Sequence, residues 1–256
     1  MERAEAVRHL RAWLAAAVVL SVSAPTAARA YRPFDSTDAA VAAKGELEIE
    51  LGPVGFLKQG MDRALVAPSL VLNWGLAERW ELVLQGSNFV ELGSEIAGPR
   101  IHVEETGLFL KTVLRDGSLQ ERAGPSIATE FGALLPTING EPGVGAQGTV
   151  IASQRWTDLT VHLDGEVAWT RAHRPAFFGD TIFEVHDAWA VRPVAELFVQ
   201  VERDVPTIVS GLIGAIWRVQ ENLSFDAGAR IARAGAVNTA EIRAGLTWAF
   251  SVGVPR

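Results

Sequence analysis

The chain contains no cysteine, so neither a disulfide framework nor a thiolate metal site can be built from it. Nowhere does it offer about eighteen continuous apolar residues, which excludes a membrane-spanning helix. Positive charge is also in short supply. Outside residues 1–30, which carry four Arg and two Glu, there are 19 basic and 28 acidic residues, a net charge of −9. Such a surface is poorly suited to nucleic acid, whose binding depends on neutralising phosphates. The five histidines stand scattered at 9, 102, 162, 173 and 186, with no metal-ligand spacing. No GK[ST] follows the glycines of 140–148, and no G-x-S-x-G elbow occurs anywhere. Neither a cofactor nor a metal is expected, and the protein is not expected to be an enzyme. No low-complexity linker divides the chain into domains.

What is present begins with a secretory signal. Arg3, Arg8 and Arg11 precede an apolar run from Trp13 to Val22, and Ala28-Arg29-Ala30 supplies a small-residue ending. Residues 1–30 read as a cleaved signal peptide, with Tyr31 the first mature residue. Residues 31–43 read as an N-terminal periplasmic tail or a lumen plug, and 44–256 as a transmembrane β-barrel.

The barrel reading rests on twelve segments that alternate apolar and polar residues. In 159–169, Leu159, Val161, Leu163, Val167 and Trp169 share one face while Thr160, His162, Asp164 and Glu166 share the other. The segments are 44–52, 64–74, 79–89, 103–115, 124–135 and 147–156, then 158–170, 181–191, 193–203, 207–219, 222–232 and 239–252. An even count closes an antiparallel barrel with both chain ends on one side and no edge left in lipid. The fold class is therefore all-β, a closed antiparallel barrel of the bacterial outer-membrane type, with ten or fourteen strands as the alternatives to twelve. Long connections are expected at 53–63, 90–102, 136–146 and 171–180, and tight turns around 75–78, Thr157, Arg192 and 220–222. Two connections depart from that alternation, 116–122 being long for a periplasmic turn and 204–206 short for an outer loop.

Trp74, Trp80, Trp156, Trp217, Trp248 and Phe250 fall near the expected periplasmic rim, the depth at which indole rings anchor a barrel. A soluble β-sandwich or lipocalin-like barrel is the alternative use of such residues, and the signal and loop asymmetry oppose it. With the apolar face in lipid, the lumen receives Glu46, Glu48, Glu50, Lys111, Glu130, Arg155, His162, Asp164 and Glu166. Glu196, Glu202, Asp226, Arg230, Glu241 and Arg243 join them, and Phe109 and Phe198 narrow the bore. The set describes either an acid-lined path favouring cations or neutral solutes, or a packed ion-pair network in which Arg243 sits beside the acidic ladder of the first strand. Twelve strands lie between a filled eight-stranded barrel and an open sixteen-stranded channel, so the bore is narrow or plugged.

The stretch YRPFDSTDAAVAAKGELEIELG resembles the opening of the outer-membrane barrels named for the MetA pathway of phenol degradation, through Arg32-Pro33-Phe34 and Thr37-Asp38-Ala39. Similar patterns recur in ATEFGALLPT at 128–137, the Gly-rich 140–148 and IWRVQENLSFDAGAR at 216–230. The resemblance implies a channel or transporter for small solutes, hydrophobic or aromatic compounds among them, and it carries over no catalytic residue. The chain departs from the usual aromatic C-terminus, because Ser251 to Arg256 follow Phe250. The expected partners are outer-membrane lipid, the barrel-insertion machinery and a small-molecule solute, in the cell outer membrane. A non-transporting structural barrel is the alternative. A hydrolase built on Ser153, His162 and Asp164, or on Glu184, His186 and Asp187, is a further one.

Overall fold

The computed structural model describes residues 32–93, 98–185 and 188–252; the signal-peptide reading of 1–30 and the residues His186 and Asp187 fall outside these. Twelve strands form one closed antiparallel barrel. They are β1 (Glu46–Gln59), β2 (Asp62–Ala77), β3 (Trp80–Glu91), β4 (Ile101–Arg115), β5 (Ser126–Leu134) and β6 (Gly145–Arg155). The second half comprises β7 (Leu159–Trp169), β8 (Pro175–Val185), β9 (Val191–Glu202), β10 (Ile208–Gln220), β11 (Leu223–Ala234) and β12 (Val237–Ser251). Each strand pairs with its sequence neighbour, and β1 pairs with β12 to close the ring.

Period-two alternation decides which side chains meet lipid. On β7, Leu163, Val167 and Trp169 are exposed while Thr160, His162 and Asp164 are buried. The same outward face carries Leu197, Ile213, Ile231 and Ile242, each 60–73% exposed. An apolar belt of this extent around a closed sheet has no stable place in water, whereas in a bilayer it is the solvated surface.

The start of β1 and the end of β12 lie together at one rim, where Glu46 pairs with Ser251, and that rim is periplasmic in barrels of this kind. Among the described residues Trp74, Trp80, Trp156, Trp217 and Trp248 are exposed along that rim, and Phe250 packs on Trp248 with ring centroids 4.9 Å apart. Trp169 stands at the opposite, outer rim.

Several connections differ from the sequence reading. The loop expected at 53–63 is strand almost throughout, since β1 and β2 meet in a turn at Gly60 and Met61. Pro53, which fell in the expected loop 53–63, and Pro68, inside the expected strand 64–74, lie where β1 bulges against β12 between Leu51 and Val54 and β2 bulges against β3 between Val66 and Ser69. A bulge accommodates a residue that has no N–H to give the ladder. The loop expected at 171–180 shortens to 170–174, because Phe177 to Asp180 continue β8. The turn expected at Arg192 lies earlier, its described part at 188–190 with Arg192 inside β9, while 116–125 is indeed long and contains a 3-10 turn, Ser118–Gln120.

Candidate functional site

Inside the barrel, the wall residues meet the N-terminal segment, residues 32–45. It circles the periplasmic half of the lumen before feeding into β1. Arg32 Nη1 donates to Ser69 Oγ at 2.9 Å, and its Nε lies 3.5 Å from Asp226. Phe34 packs against Ile182, Val194, Leu212 and Ile216 on β8 to β10. The Asp35 and Ser36 N–H groups donate to Glu196 Oε1 at 2.8 and 3.3 Å, and the Thr37 N–H to Asp164 Oδ2 at 3.1 Å. Lys111 Nζ donates to Thr37 Oγ1 at 2.8 Å, the Ala39 N–H to Ser153 Oγ at 2.9 Å, and the Ala42 N–H to Glu81. A segment this rich in backbone donors needs acceptors, and the inward carboxylates supply them.

Small wall residues make room for its path. A Cβ on Gly75 would fall 2.0 Å from the Ala43 carbonyl oxygen, and Cβ atoms on Gly214 and Gly228 would both fall 3.1 Å from Pro33.

The long β4–β5 turn closes over the same segment from the periplasmic side. Leu119 is 1% exposed and packs with Ala39, Ala40, Ala128 and Ile151. Gln120 Nε2 donates to the Ala39 carbonyl at 2.9 Å, and Ser118 Oγ accepts the Arg155 N–H at 2.7 Å. This turn carried no signal in the sequence beyond its length.

Above the segment, toward the outer rim, lies a cavity of about 480 Å³ whose wall reaches Leu134 and Arg171. Arg171, in the outer connection 170–174, donates to the carbonyls of Leu135 at 2.7 Å and Thr106 at 2.5 Å. Glu105 also faces this cavity, with an unusual positive φ of 56° and Oε2 accepting from Ser87 Oγ at 2.7 Å.

The residues named from the sequence as lumen-lining distribute themselves unevenly. Glu46, Glu48, Glu50, Phe109, Lys111, His162, Asp164, Glu196, Phe198 and Asp226 are buried within the barrel. Of these, Glu50 accepts from Asn73 Nδ2 at 2.8 Å, and Lys111 lies opposite Glu130 in the β4–β5 register. Glu166, Glu130, Arg230 and Arg243 line the cavity, together with Phe198. Arg155 lies near the periplasmic rim, 3.6 Å from Glu121, and Glu202 near the outer rim, 2.7 Å from Arg174.

Arg243 is not beside the acidic ladder. It pairs with Gly55, well beyond Glu46, Glu48 and Glu50, because β1 continues past the segment expected to end it. Its partners are Asp35 and Glu241, at 3.1 and 2.9 Å. Burial alone would push the Asp35 carboxyl up, but Arg243 and Arg230 beside it hold it below the usual carboxylate range. Asp35 was not singled out by the sequence, and neither was Phe178, which lay in a segment read as loop.

The hydrolase constellation expected on Ser153, His162 and Asp164 takes a different form, while the one expected on Glu184, His186 and Asp187 falls partly outside the described residues. Ser153 Oγ lies 2.8 Å from His162 Nδ1, and His162 Nε2 lies 3.3 Å from Glu184, which also accepts from Arg192 at 2.9 Å. Glu184, not Asp164, is the carboxylate on the imidazole. Yet Ser153 is fully buried and its Oγ already accepts the Ala39 N–H. The hydroxyl therefore holds the N-terminal segment, with no approach for an acyl substrate.

No protein family and no curated protein matches the chain. Solved structures do. The outer membrane channel from Pseudomonas putida F1 is 11% identical with a TM-score of 0.60, covering 85% of this chain and 99% of that one. The NanC porin is 9% identical with a TM-score of 0.58, over 79% and 98%. The KdgM porin in complex with disordered oligogalacturonate is 10% identical with a TM-score of 0.53, over 79% and 98%. At these identities the likeness is one of fold: the chain has the barrel of outer-membrane porins and channels.

Proposed function

We propose that the protein is an outer-membrane channel for passive uptake of small solutes, with hydrophobic or aromatic compounds as cargo, and that residues 32–43 gate it. The observation that carries this reading is the way the lumen is divided. A cavity of about 480 Å³ extends to the outer-rim residues and ends on a segment held by side-chain contacts instead of strand pairing. Such a volume lies within the roughly 300–1,000 Å³ usual for small-molecule sites. Ties of this kind can be exchanged one at a time without opening the β ladder. The Phe178–Phe198 pair in the cavity wall, with centroids 5.0 Å apart, offers an arene a surface on which to stack.

The resemblance to the phenol-degradation barrels supports the same cargo class. Outer-membrane lipid surrounds the belt, and the barrel-insertion machinery places it there. The fold of porins and channels agrees with the reading but does not choose the solute. Liposome swelling tests it: vesicles carrying the refolded chain without residues 31–43 should admit small neutral solutes faster than empty vesicles and than vesicles carrying the full mature chain. A swelling rate equal to that of empty vesicles from the form without the segment would favour the non-transporting structural barrel.

A further inference from the structure

Asp35 is held in the manner of a bound ligand. Arg243 presents Nη1 and Nη2 to its Oδ1 at 3.2 and 3.1 Å, while Arg230 Nη1 meets Oδ2 at 3.2 Å. Glu241 backs both guanidinium groups, 2.5 Å from Arg230 and 2.9 Å from Arg243. With Asp35 in place, two cations face two carboxylates. Once it leaves, the cluster is singly positive and a fork suited to a planar carboxylate stands open.

Apolar surface adjoins that fork. The Arg230 guanidinium lies 5.9 Å from the Phe198 ring centroid, and Phe198 in turn packs on Phe178. All of these groups, Asp35 included, line the cavity that extends toward the outer rim. Glu105, Glu130 and Glu166 face the same space, so a second negative charge on a solute would be repelled.

We infer that Arg230 and Arg243 form a binding site for an arene monocarboxylate, which Asp35 occupies as an internal stand-in. An incoming carboxylate takes its place on the two arginines, the ring lies against Phe198 and Phe178, and the leading end of the N-terminal segment is set free. The inference deepens the channel reading by naming its solute class. The site itself rests on the arginine geometry alone.

Sodium benzoate titrated calorimetrically into the full mature chain in detergent tests the exchange. Asp35→Asn should bind benzoate at least tenfold more tightly than the parent, because the internal competitor has lost its charge. Arg243→Lys in the Asp35→Asn background, which keeps the charge and removes the fork, should weaken benzoate at least tenfold. Arg230→Lys serves where that variant does not fold. Benzyl alcohol should gain nothing from Asp35→Asn. Equal benzoate affinity with and without Asp35, no benzoate binding by Asp35→Asn, or indifference to both arginine changes would overturn the proposal. Bilayer conductance of Asp35→Asn separates the two readings. Tight benzoate binding without current keeps the site and removes the channel, and current without benzoate binding does the reverse.

Discussion

Glu196 Oε1 accepts the Asp35 backbone N–H at 2.8 Å, joining β9 to a residue 161 positions earlier in the chain. Glu196 is 1% exposed, and a carboxylate so placed needs donors. The N-terminal segment supplies them. The lumen wall and the segment across it are thus joined by hydrogen bonds, and the predictions below separate that docking from the barrel that surrounds it.

Acid should release the leading end of the segment. Desolvation would raise the Asp35 pKa, but Arg243 and Arg230 prevail and hold it below 3.8. A carboxyl with a depressed pKa stabilises the docked state above the ordinary value, and that stabilisation is lost as pH falls through the depressed one. Pepsin cleavage beside Phe34, normalised to an unfolded control at each pH, should therefore rise as the pH is lowered through the range below the ordinary carboxylate value. Cleavage in Asp35→Asn no faster than in the parent above that range would show that the Asp35 ion pairs do not hold the segment.

Leu119→Ala should loosen the segment without opening the barrel. Truncating a buried leucine costs about 2 to 5 kcal/mol, and here the cavity would open against Ala39 and Ala40. Amide exchange at residues 39–42 should speed up by at least about tenfold, the factor that about 1.4 kcal/mol commands if part of that loss falls on docking. Exchange in the strands should stay as it was.

Ser153→Ala should act on docking alone. The Ala39 N–H loses its acceptor, so its exchange should accelerate, while any background hydrolysis of p-nitrophenyl acetate by the folded protein should not change. A hydrolytic rate that disappears with the Ser153 hydroxyl would restore the Ser153–His162–Glu184 row to a catalytic role.

On the outward face, Ile213→Arg should destabilise the barrel in lipid. Ile213 is 70% exposed near the middle of β10, and an arginine near the bilayer midplane costs about 2 to 4 kcal/mol. Reversible denaturant unfolding in vesicles measures it. A loss under about 0.5 kcal/mol, the range of an ordinary exposed surface site, would mean that this face is not in hydrocarbon.

The sequence disclosed the strands more fully than the site, for a physical reason. Alternation is local: His162 and Asp164 on one face and Leu163 on the other can be read without knowing what lies beside them. The bulge at Pro53 cannot, because it is set against β12, at the far end of the chain. Ending the first strand at residue 52, with 53–63 read as a loop, put Arg243 beside Glu46, Glu48 and Glu50 instead of Gly55. The partnership of Asp35 with Arg230 and Arg243 spans 195 and 208 residues and depends on the closing register, which no local pattern records. What was visible was an unusual mixture of Pro33, Phe34 and aspartates just before the first strand, enough to suggest a tail or a plug and too little to name its contacts. Glu184 stayed hidden as the partner of His162 for a similar reason, since the two residues sit on neighbouring strands, two positions out of register.

Single-channel recording in planar bilayers tests the central claim most directly, comparing the mature chain with a form lacking residues 31–43. The account calls for a closed or briefly flickering state in the full chain and steady, larger steps once the segment is gone. Identical conductance in the two, or silence from a correctly inserted barrel without the segment, would contradict it.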